Sequence, residues 1–241
     1  KPMHWILVWS WRLCRLALLP IAAGVIAVTG SLLYLGPRLP SVEVLRDVRF
    51  QEPLRVYSRD GLLMGEFGEM RCTPVRFEQI PQVLIHAVLA AEDDRFLRHH
   101  GVDFGGLSRA AWELATTRSI QSGGSTITMQ VARNDFLSRD QTFVRKFNEI
   151  LLALQIEREL DKQQILELYL NKIFLGYRAY GVAAAAEYYY GKPLDQLTLS
   201  ETATLVSALK FPSSGNPIIN PERNHQRSVY VIQRMLEDGY I

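Results

Sequence analysis

Cysteine is scarce in this chain, with Cys14 and Cys72 the two cysteines among 241 residues. Two cysteines exclude a disulfide framework and a zinc site built from cysteines. Charge of one sign is also scarce, because 27 basic residues against 25 acidic ones leave a net charge of +2. The chain therefore lacks the strongly basic footprint of a nucleic-acid-binding protein. Apolar residues at 48% are enough for the core of one domain, or two at this length.

Residues 16–35, LALLPIAAGVIAVTGSLLYL, contain no charged side chain. Such a run is long enough for a helix to cross about 30 Å of hydrocarbon. Aromatic residues near its ends, including Trp11 and Tyr34, are typical of membrane interfaces. A cleaved signal peptide and a buried core helix are the alternatives, although no A-x-A cleavage site follows. We predict a transmembrane helix over 16–36, whose orientation the flanking Lys and Arg residues leave undecided.

The remainder of the sequence predicts a mainly α-helical domain with a small β element. Three prolines mark 37–53 as a linker, and LRVYSRDGLLMGEF predicts a hairpin that turns at Asp60-Gly61. From residue 78 onward the apolar periodicity is helical. Helices are predicted over PQVLIHAVLAAEDDRF and near 104–118, 125–137, 142–160, 162–171, 178–190, 199–210 and 222–237.

The first of these helices places an acid on its apolar face. At the angular step of a helix, Glu92 falls on the same stripe as Ile85 and Val88. An acid on a core face is unusual unless it is paired or lines a cleft. Two interpretations stay open from the pattern: a structural glutamate tied to a cation or a helix start, and a general base.

Glu149 repeats this anomaly in FVRKFNEILLALQIEREL, where it shares a face with Leu152 and Ile156. Arg145 and Lys146 precede it by four and three residues, so both can flank that face. One interpretation is a surface salt bridge worth a few tenths of a kcal/mol. The other is a cleft wall whose cations hold a leaving phosphate.

IQSGGSTITMQVARN contains two glycines followed by Ser125-Thr126 at the start of a helix. Ser125 or Thr126 is a natural N-cap, and free N–H groups at that helix start can accept a phosphate. The stretch is not a P-loop, because no Gly-Lys-Ser/Thr follows. The adjacent histidines His99 and His100 lie in another loop, where such residues cap and pack more often than they bind metal, so no metal ligand is predicted.

EDDRFLRHHGVD, GGSTITMQ, RKFNE and ILELYLNKIFLG follow one another along the chain. They resemble the first four signature motifs of the family 51 glycosyltransferases, the peptidoglycan polymerases. NPIINPERN resembles a later segment of that family, so the resemblance covers residues 55–241. Ordered motifs over this length make the resemblance specific.

The resemblance implies a lysozyme-like helical head, a smaller membrane-proximal jaw, and polymerisation of lipid II into β-1,4-linked glycan with release of undecaprenyl pyrophosphate. It implies a cytoplasmic segment at 1–15, a single pass through the cytoplasmic membrane, and a catalytic domain over 54–241 on the periplasmic or extracellular side. The N-terminal segments resemble those of bifunctional members, in which a transpeptidase domain would follow residue 241, so we expect a fragment. Implied partners are lipid II, the growing glycan, membrane lipid and cell-wall synthesis regulators, with no nucleic acid. A divalent cation, Mg²⁺ or Mn²⁺, is implied, and no organic cofactor.

Carried over by position, Glu92 matches the catalytic base and Glu149 the second family glutamate, which acts near the donor pyrophosphate through Lys146, Arg145 or a divalent ion. Further residues match substrate-binding positions of the motifs: Asp93, Phe96, His99, Ser125, Thr126, Gln130, Asn134 and Asn171. Two departures stand out, because many members have Gln at Met129 and Lys at Arg133. Arg133 keeps the charge and can bind phosphate in a bidentate manner.

A lysozyme-like hydrolase of peptidoglycan is the nearest alternative, since it also uses two carboxylates on a helical fold, with water as the acceptor. The predicted anchor and the Arg145/Lys146 pair favour a lipid-pyrophosphate donor instead. A membrane scaffold without catalytic activity is a second alternative, which gives no role to acids on apolar faces.

Overall fold

The structure, a computed structural model, describes residue 30 and residues 54–67, 71–117, 124–136 and 143–241. The chain divides into two compact units, Lys1–Ser41 and Val42–Ile241, and every element below belongs to the second. Apart from Gly30, the predicted transmembrane segment and the linker lie outside the described residues. Within those residues no helix is both long and apolar enough to cross a membrane.

The second unit is mainly helical, as predicted. In the part that the structure describes, its α-helices are α1 (Gln82–Glu92), α2 (Phe104–Thr117), α3 (Ile127–Phe136), α4 (Phe143–Glu159), α5 (Lys162–Lys172), α6 (Val182–Tyr190), α7 (Leu199–Ser207) and α8 (Pro221–Glu237). Single 3₁₀ turns occupy Phe77–Gln79 and Leu194–Gln196. α1 packs against α7 and α8, while α3 packs against α4 and α5. Two groups of helices therefore meet where α1 leads towards α3.

The predicted hairpin is confirmed, with β1 (Leu54–Tyr57) antiparallel to β2 (Leu63–Phe67). Its turn is closed by the Ser58 N–H, which donates to the Leu62 carbonyl at 2.8 Å, and Gly61 supplies the left-handed conformation with φ +79°. A second pair, β3 (Arg71–Cys72) parallel to β4 (Ala179–Tyr180), was not predicted. Two-residue strands are too short to show an alternating pattern.

Helix starts follow their capping residues. Asp161 accepts the Gln164 N–H at 2.8 Å at the start of α5, and Thr198 accepts the Glu201 N–H at 3.2 Å at the start of α7. Asn220 caps α8, whose first residue is a proline. These local signals are the reason that helix starts were predictable to within a few residues.

Three predicted boundaries need correction. α1 ends at Glu92 and does not continue to Phe96, because Asp93 leaves the helical region at φ −161°. The helix predicted over 178–190 begins at Val182, since Gly181 at φ +85° closes the preceding β4 segment. α7 ends at Ser207, short of the predicted residue 210. The first correction matters most, because it moves Glu92 from a core stripe to a helix end.

Candidate active site

The C-terminal end of α1 opens into a cavity of about 680 Å³. The other walls come from α2, from the start of α3, from the turn after α7 and from α8. Charged residues of both signs line it: Glu92, Asp93, Asp94 and Asp103 are acidic, while Arg109, Arg133, Lys210, Arg227 and Arg234 are basic. Such a space can accept a proton at one place while it holds an anionic group at another.

Glu92 is the last residue of α1, and its half-buried carboxylate lines the cavity. Gln130 donates a hydrogen bond from Nε2 to Glu92 Oε2 at 3.0 Å. The Gln130 amide is oriented from behind, since the Tyr169 hydroxyl donates to its Oε1 at 3.3 Å. Burial, and then the charge of Glu92, raises the pKa of the Tyr169 phenol well above its ordinary value, so Tyr169 stays a donor. One oxygen of Glu92 is thus held within the described part of the chain, and the other can meet a substrate.

Asp93 links the end of α1 to the start of α3. Its buried carboxylate lies 3.0 Å from the His99 Nε2 and accepts the Ile127 N–H at 3.0 Å. A carboxylate at a helix N-terminus is favourable because the backbone dipoles point their positive end there. Since Gln130 follows one turn later on α3, Asp93 fixes the distance between Glu92 and its hydrogen-bond donor.

Thr126 is the N-cap of α3, one of the two caps that the sequence allowed. Its hydroxyl accepts the Met129 N–H at 3.1 Å and donates to the Gly101 carbonyl at 2.6 Å. The N–H groups of Ile127 and Met129 are therefore used inside the chain. The expectation that these groups are free to bind a phosphate is wrong.

Phe96 and His99 lie behind the cavity and do not line it. The Phe96 ring is fully buried, with the Lys162 Nζ 4.2 Å from its centroid and the His99 ring packed edge-on at 6.0 Å. Of the predicted residues in the first motif, only Glu92 and Asp93 reach the cavity. The structure gives the two aromatic side chains a supporting position and not the substrate contact that the resemblance implied.

The cationic cluster of Arg145, Lys146 and Glu149 adjoins the cavity at Ser125. The Glu149 side chain is 2% exposed, and Arg145 forms a very short ion pair with its Oε1. Lys146 Nζ lies 3.0 Å from Glu149 Oε2 and donates to Ser125 Oγ at 2.7 Å. Lys146 is also the more exposed cation, at 37% against 18% for Arg145. The buried carboxylate thus holds two cations in place, and Ser125 brings one of them to the cavity wall.

The remaining predicted site residues divide between the cavity and the scaffold. Arg133 lines the cavity, whereas Asn134 is exposed on α3 and is not part of that wall. Asn171 is buried, and its amide accepts the Val75 N–H and donates to the Val75 carbonyl, both at 2.8 Å. This arrangement uses Asn171 to fix the segment before the first 3₁₀ turn, so the structure does not bring it to the groove that we expected.

Several cavity residues escaped the sequence reasoning, above all Arg227 and Arg234 of α8. They donate to the carbonyls of Ala91 and Ala90, each at 3.4 Å, and so satisfy groups that the end of α1 leaves without partners in the helix. Arg234 also reaches the Asp94 carboxylate at 3.1 Å. Their seven-residue spacing, which places both on one face of a helix, was the signal that could have identified them.

The profile of the transglycosylase family matches residues 60–236 of the chain. Penicillin-binding protein 1A from Pseudomonas aeruginosa PAO1 is 57% identical over 221 residues, which are 92% of this chain and 27% of that protein. Penicillin-binding protein 1A from Escherichia coli K12 is 49% identical over 226 residues, or 94% of this chain and 27% of that protein. A crystal structure of penicillin-binding protein 1A from Haemophilus influenzae is 36% identical, covers 80% of this chain and 19% of that one, and has a TM-score of 0.46. The chain spans 27% of the length of these two curated relatives.

Proposed function

The chain belongs to the transglycosylase family, and on that premise we propose that it polymerises lipid II into β-1,4-linked glycan for the cell wall. The observation that carries the proposal is the carboxylate of Glu92, held by Gln130 at the edge of a cavity that cations also line. The kinship with proteins named penicillin-binding protein 1A supports it. In this proposal the helical body is the lysozyme-like head, and the β1–β2 end is the smaller jaw.

Glu92 is the general base of the proposed reaction. The 4-hydroxyl oxygen of the acceptor sugar attacks the anomeric carbon of the donor, and its proton passes to Glu92. The bond between that carbon and the pyrophosphate oxygen breaks, and its electron pair leaves with undecaprenyl pyrophosphate. A single displacement inverts the anomeric carbon, so one base and one stabilised leaving group are sufficient.

Lys146, assisted by Arg145, stabilises the charge on the leaving pyrophosphate. Two cations against the single charge of Glu149 leave the cluster with a net charge of +1. Because Glu149 is buried with both oxygens engaged, it orients the cations and does not exchange protons with substrate. Charges fixed before the reaction stabilise a developing anion without reorganisation at that moment.

The predicted divalent cation stays in the proposal as a companion of the donor pyrophosphate. Among the described residues, no group of three or more His, Cys, Asp or Glu side chains could hold a metal ion. Both oxygens of Glu149 bind cations, and Asp93 is committed to His99 and the Ile127 N–H. These side chains do not fit a metal held by the protein alone, so no step is assigned to one.

We place the domain at the membrane surface, next to the segment 16–36 that was predicted to span the bilayer. The supporting feature is a group of exposed apolar side chains at and before α2, with Leu97 65%, Phe104 68% and Trp112 73% exposed. The earlier candidates fit less well, because Phe136 is half-buried and Leu137 lies outside the described residues. The donor's polyprenyl tail requires its pyrophosphate to lie at the level of the lipid headgroups.

Fluorescently labelled lipid II tests the proposed function directly. The chain should convert it into glycan polymers that a muramidase then degrades, and Glu92→Gln should abolish most of this conversion. A hydrolase would instead shorten preformed glycan strands and leave lipid II unpolymerised. That second outcome would refute the polymerase proposal in favour of the lysozyme-like alternative.

A further inference from the structure

The turn before α6 is built from residues that rarely form such a turn. The Ala179 N–H donates to the Gly176 carbonyl at 2.8 Å, so Tyr177 and Arg178 are its two central residues. Both are left-handed, at φ +45° and +65°, as a type I′ turn requires. Asn-Gly is the pair that prefers this conformation, because side chains with a bulky Cβ substituent are strained there. A tyrosine at this turn therefore needs a reason beyond local preference.

The turn presents the Tyr177 ring on the surface as part of a tyrosine platform, which consists of Tyr177, Tyr188 and Tyr189. Tyr177 is 38% exposed and stacks on Tyr188, with centroids 5.3 Å apart and planes 26° apart. Tyr189 meets Tyr188 edge-on at 5.4 Å, and its hydroxyl donates to the Leu175 carbonyl at 2.6 Å. The platform is thus rigid, since α6 carries two of its rings and the turn carries the third.

The tyrosine platform is a short distance from the cavity. The backbone of Gly176 packs on the segment after α7 so closely that a Cβ there would lie 2.5 Å from the Pro212 carbonyl oxygen. Pro212 is two residues after Lys210, which lines the cavity. Standard backbone dimensions then put the Cα of Tyr177 within about 18 Å of the Cα of Lys210. A linear polymer with one end in the cavity can span that distance with a few sugar rings.

We propose that the tyrosine platform binds the β-1,4-linked glycan strand that the cavity elongates, an inference that rests on the proposed function. The C–H faces of N-acetylated pyranose rings pack on aromatic rings, and tyrosine adds a hydroxyl at the ring edge for their polar groups. An aliphatic lipid chain would leave those hydroxyls without partners. The left-handed Tyr177 follows from this role, because the turn aims its ring where a sugar can stack.

A substitution that favours the turn while removing the ring separates binding from folding. Tyr177→Asn combined with Arg178→Gly installs the preferred type I′ pair, so its thermal stability should match or exceed that of the parent chain. Isothermal titration with a β-1,4-linked N-acetylglucosamine hexamer should show affinity reduced by about tenfold, the size expected for one aromatic contact. Arg178→Gly alone is the matched control, because it keeps the ring and should bind as the parent does.

Polymerisation provides a second readout, in which Tyr188→Ala serves as an independent variant. Both ring-deletion variants should consume lipid II at the parent's initial rate and yield shorter glycan. Tyr57→Ala removes an exposed ring from β1 and should leave product length unchanged. Equal hexamer affinity in the double variant and Arg178→Gly, or no hexamer binding by the parent chain, would overturn the platform. A parent chain that binds the hexamer but does not polymerise lipid II would refute the proposed function and leave the platform as a glycan-binding surface.

Discussion

Gln130 Nε2 and Glu92 Oε2 are joined by a hydrogen bond of 3.0 Å, which ties α3 to the last residue of α1. An amide side chain can present either its nitrogen or its oxygen, and only the nitrogen can donate to a carboxylate. The Tyr169 hydroxyl settles the choice, because it donates to the Gln130 oxygen at 3.3 Å. A buried tyrosine thus orients the proposed base through an intermediate residue.

Tyr169→Phe is therefore expected to impair the chemistry more than substrate binding. The ring packing is kept while the donor is lost, so kcat should fall about tenfold, equivalent to one hydrogen bond of roughly 1.4 kcal/mol. The KM for lipid II should stay near the parent value. Steady-state kinetics check this split, with Tyr180→Phe as a control on another half-buried ring. An unchanged kcat would show that Tyr169 contributes to packing alone.

Glu92→Gln preserves the shape of the side chain but cannot accept the hydroxyl proton. We expect the rate of lipid II polymerisation to fall by at least about 10²-fold, the usual scale for a general base. Asp94→Asn is the matched control, since Asp94 lines the same cavity and pairs with Arg234. Near-normal polymerisation by Glu92→Gln would remove Glu92 from the mechanism.

Lys146→Ala removes the cation that connects Glu149 to Ser125. Activity should collapse, because preorganised charge at a leaving group is worth about 3 kcal/mol. The melting temperature should change little, since Arg145 still neutralises the buried Glu149. Lys192→Ala is a suitable control, because Lys192 has a similar exposure and also forms an ion pair, with Glu201. A sharp fall in melting temperature for Lys146→Ala alone would make Lys146 structural.

Periodicity located both glutamates, but it described their surroundings unequally well. Glu149 lies inside the long regular helix α4, so its predicted burial on an apolar face is confirmed. Glu92 lies at a helix end, where the 3.6-residue pattern no longer decides which way a side chain points. Its place in the cavity depends on Asp93, which turns the chain towards the start of α3. That contact joins residues 34 positions apart, and a local pattern cannot contain it.

The sequence failed where tertiary contacts assign the role. Asn171 and Phe96 belong to recognisable motifs, yet their partners are the backbone of Val75 and the Lys162 side chain. The motif identifies such residues as important without stating whether they contact substrate or scaffold. The Tyr177 turn was missed for the opposite reason, because its residues contradict the turn type that they form. Local preference is overruled there by contacts that only the folded chain supplies.

The exposed apolar side chains near α2 give the membrane proposal a specific test. If Phe104 and Trp112 enter the lipid, each transfer of about 100 Å² of apolar surface contributes about 2.5 kcal/mol. A chain lacking residues 1–36 should then bind vesicles of phosphatidylethanolamine and phosphatidylglycerol. Phe104→Asp with Trp112→Asp should weaken that binding strongly while stability changes little, because both side chains are exposed.

The matched control replaces Ile218 and Ile219 with Asp, since these residues are also exposed but belong to the loop before α8. Vesicle co-sedimentation of both variants measures whether binding is specific to the α2 side. The α2 variant should also raise the KM for long-chain lipid II more than for a short-chain analogue, because docking matters only when the tail is in the bilayer. If the two variants bind vesicles equally and chain-length dependence is unchanged, membrane docking must come from residues 1–36 and not from α2.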